Sequence, residues 1–302
     1  MTQPERRREF HIAATAYAAP RLAAGLYLVA TPIGNLGDIT LRALETLAAA
    51  DLIACEDTRV SRKLVDHYGI QTALTPYHEH NAATARPKLL ARVAEGAAVA
   101  LISDAGTPLI SDPGFKLVRE AREAGLNVTA LPGASSVLTA LVASGLPTDR
   151  FLFEGFLPAK TTQRRARVGE LVRVPASIVL FEGGSRIGDS LADLAAVFGQ
   201  REAAVCRELT KLHEEVRRDS LTALAAHYAG DAETRGEFVI VIAPPDDEAS
   251  PQADDVDALI RAALQRVSVK DAVGEIVAAT GLPRRDVYQR ALELAKERDD
   301  GD

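Results

Sequence analysis

The sequence predicts an α/β fold: two α/β domains followed by a small C-terminal helical domain. Three observations carry this. From residue 26 to 145, short apolar runs alternate with helical patterns, the rhythm of βαβ units around a mainly parallel sheet. After the linker Gly145-Leu-Pro-Thr-Asp-Arg150 the strand candidates crowd together, and helices fit between only some of them. Beyond a second linker, Pro244-Pro-Asp-Asp-Glu-Ala-Ser-Pro251, three short helical patterns close the chain. The expected boundaries are a flexible arm over 1–25, a parallel-sheet domain over 26–145, a mixed domain over 150–245 and a helical domain over 252–302.

The arm, Met1 to Gly25, carries Arg6, Arg7 and Arg8 beside Glu5 and Glu9, and Pro20-Arg21 interrupts its alanines. It lacks the continuous apolar centre of a signal peptide. In the first domain the strands are expected at 26–30, 51–55, 73–77, 99–102 and 127–131. The intervening helices fall at about 38–50, 60–68, 81–95, 113–124 and 134–144, and Gly96, Gly125 and Gly145 sit where helices should end. In the second domain strands are expected at 151–156, 177–181, 203–207, 214–218 and 237–243. Cys206 to Asp219 has no room for a helix, so the strands it joins should pair antiparallel. The tail helices fall at 254–265, 269–280 and 284–297, with Ser268 and Asp271 spaced as a capping box and Gly281-Leu-Pro283 between the last two.

Composition bounds the function. The net charge is −7, but residues 246–302 hold 14 acidic against 8 basic side chains, leaving the other 245 residues near neutral at −1. Among those, Lys160 to Arg173 carries five basic residues against Glu170 alone, a candidate phosphate surface at Lys160, Arg164, Arg165 and Arg167. A solvated helix face would read the same way. The 14 aromatic residues include no Trp, which argues against a broad base-stacking platform. No apolar run approaches the ~18 residues of a membrane span. Cys55 and Cys206 each end an apolar run and suggest no disulfide framework, which points to a reducing cytoplasm.

The most informative stretch is Leu101-Ile-Ser-Asp-Ala-Gly-Thr-Pro-Leu-Ile-Ser-Asp-Pro-Gly114. It leaves a strand and opens into a loop of two Gly, two Pro and two Asp at the carboxyl edge of the sheet, where open α/β folds bind ligands. A plain strand-to-helix turn would use Asp104 or Asp112 as a cap and Pro113 at the first helical position. Such a turn needs one or two of these residues, not a dozen. Thr31-Pro-Ile-Gly-Asn35, Glu56-Asp-Thr-Arg59, Tyr77-His-Glu-His-Asn81 and Pro132-Gly-Ala-Ser-Ser136 should converge on the same rim. Backbone amides, small residues and a few carboxylates suit a polar ligand held largely by main chain. Gly34 and Gly37 lack the spacing of a dinucleotide fingerprint, and no P-loop, nucleophile elbow or zinc-protease motif occurs. His78-Glu-His80 offers two imidazoles without a third ligand, so no metal is expected.

These motifs, with Leu28-Val-Ala-Thr-Pro-Ile-Gly-Asn35, Phe153-Glu-Gly-Phe-Leu-Pro158 and Arg207-Glu-Leu-Thr-Lys211, resemble the tetrapyrrole methylase (class III) methyltransferases. Within that family they are most similar to the ribosomal RNA small subunit methyltransferase I branch. The resemblance runs over about residues 26–245, and the tail is similar to the branch's helical domain. It implies a cofactor cleft between the two α/β domains and a homodimer. It also implies methyl transfer from S-adenosylmethionine to the ribose 2′-hydroxyl of a cytidine in the decoding centre of 16S ribosomal RNA, free or in the small subunit. The implied cofactor contacts are Pro32, Ile33, Gly34, Ser103, Asp104, Ala105, Gly106, Thr107, Pro108, Ser135, Ser136, Phe181 and Glu182. One departure stands out. Where the branch has Glu-Ser-Pro-His-Arg, this chain has Glu182-Gly-Gly-Ser-Arg186.

Methyl transfer is mostly positioning, and a ribose hydroxyl also needs a proton acceptor. Glu56 and Asp57 at the rim are the candidates, against the plainer reading that they cap the next helix and pair with Arg59. Two other readings stay open: a methyltransferase of the same fold acting on a tetrapyrrole precursor, and a ribosome-assembly binding protein without catalysis. A basic helix and an appended helical tail favour RNA over the tetrapyrrole.

Overall fold

The structure is a computed structural model and describes residues 8–230, 232–245, 253–280 and 282–299. The first seven residues of the expected arm, residues 246–251 of the second linker, the start of the tail domain at 252 and Gly281 lie outside the described residues. Contacts divide the chain into two units: Met1–Val172 with Ala176–Ala243, and Arg173–Pro175 with Pro244–Asp302.

The first unit opens with a hairpin, β1 (Glu9–Ile12) and β2 (Thr15–Ala18). This corrects the expectation of a loose arm for these residues. Phe10 is buried in the first domain's core and stacks on Tyr17, while the His11 N–H donates to the Tyr68 carbonyl at 2.8 Å. The turn is built on Ala13 at φ 51°, with none of the Asn or Gly that usually announces a hairpin.

The first sheet follows the predicted rhythm. Its elements are β3 (Gly25–Val29), α1 (Leu41–Ala49), β4 (Leu52–Cys55), α2 (Thr58–His67), β5 (Leu74–Pro76), α3 (Ala82–Ala94), β6 (Ala98–Ile102), α4 (Phe115–Glu123) and β7 (Val128–Leu131). All five strands pair parallel in the order β5-β4-β6-β3-β7. The sheet is covered on both faces, which is why its strands read as nearly continuous apolar runs. Val29, Ile53, Cys55 and Ala100 face Leu44, Leu47 and Val65 of α1 and α2. Leu26, Ala54, Val99 and Leu101 face Leu89, Val93, Leu117 and Ala121 of α3 and α4.

The next helix, α5 (Ser136–Ala143), changes allegiance. Its Val137, Ala140 and Leu141 pack with Val179, Ala204, Cys206, Val239 and Val241 of the second sheet. The elements of that domain are β8 (Phe151–Phe156), α6 (Thr161–Leu171), β9 (Ser177–Gly183), α7 (Ile187–Phe198), β10 (Glu202–Arg207), β11 (Glu215–Ser220), α8 (Leu221–Tyr228) and β12 (Glu237–Ile242). The order is β11-β10-β12-β9-β8, with β8 and β9 parallel and the other pairs antiparallel, including the expected β10–β11 pair. Because α5 bridges the sheets, the segment 132–136 that leads into it lies where the two α/β domains meet.

The helical unit comprises α9 (Ala253–Leu264), α10 (Val269–Thr280) and α11 (Arg284–Asp299) around Ile260, Ala272, Val273, Ile276, Val287 and Ala291. Ser268 caps α10: its hydroxyl donates to Asp271 at 2.7 Å and accepts the Asp271 N–H at 3.3 Å. Among the described residues no helix is long and apolar enough to cross a membrane. Both cysteines are buried and free, and burial pushes the Cys206 thiol up to about 12.

One expected phosphate ligand is corrected here. Arg164 on α6 is 3% exposed, donates to Asp193 of α7 at 2.7 Å and to the Ala159 carbonyl at 3.1 Å. Arg165 holds the other Asp193 oxygen at 2.6 Å, and Arg167 pairs with Glu154 and Glu170. Arg164, Arg165 and Arg167 are thus answered by carboxylates, Asp193 and Glu154 from outside the run and Glu170 from within it. Removing one partner of a buried pair leaves an uncompensated charge, whereas replacing both with apolar groups is often neutral. Arg164→Ala is expected to lower unfolding free energy by about 3 kcal/mol in a denaturant titration. The double variant Arg164→Leu/Asp193→Leu should recover most of that loss.

Candidate active site

Three loops leave the carboxyl ends of adjacent strands and are zipped together. Thr31, after β3, and Gly106, after β6, exchange both backbone hydrogen bonds at 2.9 and 3.0 Å. The Thr31 hydroxyl donates to the Ser103 carbonyl at 3.1 Å, and the Ser103 hydroxyl to the Gly106 carbonyl at 3.1 Å. The Thr107 hydroxyl donates to the Ala134 carbonyl, bringing in the loop after β7. Gly106 has φ +82°, and a Cβ there would sit 3.1 Å from Ile33 Cγ2. A side chain at Gly106 would therefore be both strained and crowded.

The second domain supplies the facing wall of a cavity of about 330 Å³, inside the usual size range of small-molecule sites. Phe181 meets Phe153 and Phe156 edge-to-face at 4.9 and 5.5 Å, and Phe156 stays 59% exposed. Lys211 reaches the cavity with its Nζ held by Glu208 at 2.8 Å and Glu237 at 2.9 Å. Burial alone would lower the Lys211 pKa, but these two carboxylates outweigh it and raise it. Lys211 also lies against the first loop, since a Cβ on Gly34 would come within 2.4 Å of Lys211 Cγ.

Glu182 is buried, and its carboxylate accepts from Arg186 at 2.7 and 2.9 Å, from the Ser190 hydroxyl and from the Gly183 N–H. Burial pushes its pKa up; the Arg186 and Ser190 hydrogen bonds push harder the other way and leave it lowered. The Gly183-Gly184 departure has a local reason. A Cβ on Gly184 would fall 1.7 Å from the Thr234 carbonyl oxygen, so the loop before β12 can approach this closely only over glycine. Gly183 meets nothing within 4 Å and leaves the cavity wall open.

Four carboxylates crowd the first-domain side. Asp57 caps α2, accepting the Arg59 N–H at 2.8 Å, and pairs with the Arg59 guanidinium, which holds its pKa down to about 2. The Asp57 N–H in turn donates to Asp104 at 3.1 Å. Glu56 is raised by burial and then by Asp104, and Asp104 by burial. Asp112 is pushed up to about 6, first by burial and then by Glu56. Neither Asp104 nor Asp112 caps α4, whose N-terminus is Gly114 at φ 139° without a side-chain cap.

The cavity wall contains Ile33, Ala105, Gly106, Thr107, Ser135, Ser136, Phe181 and Glu182 of the residues expected to hold a cofactor. Ser103 and Thr31 act from behind by bracing the rim. Pro32, Gly34, Asp104 and Pro108 lie on the same loops but not on this wall, and neither Glu56 nor Asp57 lines it. Asp57 takes the plainer of its two readings, a cap paired with Arg59. Asp112, Phe156, Lys211 and Glu237 line the cavity without having been singled out as ligands. Asp112 and Lys211 stood inside quoted motifs, so the signal was present.

Residues 25–225 match the family model of Tetrapyrrole (Corrin/Porphyrin) Methylases, and residues 250–295 match the RsmI C-terminal HTH domain. The chain is 52% identical over 289 residues to Ribosomal RNA small subunit methyltransferase I of Mesorhizobium japonicum, covering 95% of this chain and 98% of that protein. It is 51% identical over 278 residues to the protein of that name from Erythrobacter litoralis, covering 92% and 98%. Among solved structures, uroporphyrin-III-C-methyltransferase from Thermus thermophilus superposes with a TM-score of 0.52 at 22% identity, covering 73% of this chain and 94% of that one; this likeness speaks for the fold. The chain belongs to the tetrapyrrole methylase family, in its ribosomal RNA small subunit methyltransferase I branch.

Proposed function

We propose that this chain is a cytoplasmic enzyme that methylates 16S ribosomal RNA of the small subunit, at the ribose 2′-hydroxyl of a decoding-centre cytidine, with S-adenosylmethionine as donor. The observation that carries the reading is the cavity between the α/β domains, walled by the zipped loops on one side and by Phe156, Phe181 and Lys211 on the other. The donor is a cation, and aromatic faces with nearby carboxylates favour one. Bound there, it supplies an electrophilic methyl group. The chain's own residues do the rest: the Thr31–Gly106 bridge holds the rim in one geometry, and Glu182 keeps Arg186 in place behind the wall. Full-length similarity to the relatives, including the helical domain beyond about residue 245, favours RNA over a tetrapyrrole and over a non-catalytic assembly factor. We assign that domain to recognition of the subunit.

Of the basic run, Lys160, Arg165 and Arg173 stay exposed, and we assign the RNA backbone to Lys160 and Arg165. Arg167 is bound at both ends by Glu154 and Glu170 and plays a lesser part. We further propose a homodimer. A second hollow, bordered by Thr40, Leu138 and Thr210, is flanked in sequence by apolar side chains left in solvent: Leu41 at 63%, Val142 at 71% and Leu212 at 92% exposed. Large apolar side chains left this exposed beside a hollow suit a protein interface.

Three measurements test these assignments. Gly106→Val should weaken S-adenosylmethionine binding at least tenfold, about 1.4 kcal/mol, by calorimetry on protein whose circular dichroism is unchanged. Unchanged affinity would remove this loop from the site. Lys160→Gln with Arg165→Gln should flatten the slope of log RNA affinity against log salt by roughly 0.7 to 0.9 per lost contact, with donor affinity intact. An unaltered slope would return α6 to a solvated face. Val142→Asp should convert the dimer to a monomer in light scattering; a monomeric wild-type protein would dismiss the dimer.

A further inference from the structure

The helical unit is acidic as a whole, with 14 carboxylates against 8 basic side chains over residues 246–302, yet one side of α11 is not. The helix turns Val287, Ala291 and Leu294 into the unit's own core. Away from that core stand Arg285, Tyr288, Gln289, Leu292 and Lys296, all exposed. At 3.6 residues per turn these five positions fall within one sector of about 100°. No acidic residue interrupts the sector, and Asp286 and Glu293 lie on the flank beyond it.

The charges of this sector differ from the others in the unit. Arg261 and Arg290 are answered by Asp257, and Arg266 by Glu275. Among the described residues, neither Arg285 nor Lys296 has a carboxylate within ion-pair distance, and the same holds for Arg284 at the start of the helix. Between the two cations, Tyr288 is 47% and Leu292 39% exposed. A ring and a leucine one turn apart, bracketed by unanswered cations, make a patch and not a scatter of single apolar side chains.

Resting on the proposed function, we infer that this face of α11 is a contact surface for the RNA of the small subunit, with Arg285 and Lys296 meeting phosphates and Tyr288 stacking on an unpaired base. Arg, Lys, Gln and Tyr are side chains that donate to phosphate oxygens. An aromatic ring set among cations is how unpaired strands are held, and one ring serves one base without a broad platform. Arg285 and Lys296 lie about 16 Å apart along the helix, which leaves room for a short run of nucleotides between them. Charge decides against other occupants. A second copy packed across a two-fold axis would set the sector against itself and bring like cations together. An apolar protein surface would bury both cations unpaired. RNA answers each cation and repels the acidic remainder of the unit, which steers the encounter onto this sector.

The test uses the full chain and small subunits that lack the modification, with methyl transfer, donor affinity and melting temperature measured together. Arg285→Gln with Lys296→Gln should raise the KM for subunits by about fivefold or more and make log KM rise less steeply with log salt, by roughly 0.7 to 0.9 per lost contact. Donor affinity and melting temperature should match the wild type, since neither side chain is buried or paired. Tyr288→Ala should raise the KM by about fivefold or more, and Tyr288→Phe should restore it, because stacking needs the ring and not the hydroxyl. With benzoylphenylalanine in place of Leu292, irradiation should attach the chain to 16S ribosomal RNA. An unaltered KM and salt slope in the double variant overturns the inference. So does a Tyr288→Phe loss equal to that of Tyr288→Ala, and so does attachment to a ribosomal protein or to a second copy of the chain. These outcomes in an active wild type strike this surface alone; a wild-type protein that methylates no subunit RNA removes the proposed function, and the surface with it.

Discussion

The site depends on one short antiparallel bridge inside an otherwise parallel sheet, the two-way hydrogen bonding between Thr31 and Gly106. Parallel strands deliver their following loops to one edge but leave those loops unpaired. The bridge gives the loops after β3 and β6 a mutual partner, and the Thr31 and Thr107 hydroxyls extend the lock to Ser103 and Ala134. Each bond is worth only about 1 kcal/mol net. Their combined effect is geometric, because backbone polar groups near the cavity are satisfied in one arrangement before any ligand arrives. Gly106 is required by this lock: its left-handed conformation and the Ile33 methyl beside it exclude a side chain.

The lock extends across the two α/β domains through small residues. Gly34 yields to the Lys211 stem, Gly155 to Ser111, and Gly184 to the Thr234 carbonyl. Each is a place where backbone or side chain comes too close for a Cβ. The first two join the zipped rim to the second domain, and α5 joins the domains again by burying its apolar face on β12. The cavity is therefore bounded by contacts as tight as those of a core, which is what a reaction governed by in-line positioning demands.

Much of this was legible in the sequence. The βα rhythm located every strand of the first sheet: the central β3, β4 and β6 are largely buried apolar runs, while the edge strands β5 and β7, only partly buried, follow from the spacing of the helices around them. The β10–β11 pair followed from the lack of room for a helix. The hairpin at 9–18 escaped because its strands are short and its turn uses Ala13 instead of Asn or Gly. Ion pairing escaped for a different reason. Arg164 and Asp193 are far apart in sequence, and nothing in either segment says that α6 and α7 bring them together. A run of like charge reads as a surface whether its counterions come from solvent or from the next helix. Site residues that act through neighbours, such as Lys211, were quoted as motif and left without a role, since their chemistry depends on Glu208 and Glu237 being near.

The carboxylates of the cavity and its rim divide by the same logic. Asp57 and Glu182 are matched by Arg59 and Arg186, and both titrate below their ordinary range. Glu56 and Asp112 have no arginine partner among the described residues; burial raises both, with the Asp104 charge adding to the rise of Glu56 and the Glu56 charge to that of Asp112. A fold that merely needed stability would have paired them or made them neutral, since one unit of pKa shift corresponds to ~1.4 kcal/mol. Structural carboxylates are thus the ones whose charge is answered locally; of the unanswered pair, Asp112 lies on the cavity wall and Glu56 off it, on the loop after β4. Net charge and motif spacing cannot separate the two kinds. What separates them is whether a guanidinium lies within hydrogen-bonding reach, and that is decided by how α2, α7 and the loop after β6 are folded against their neighbours.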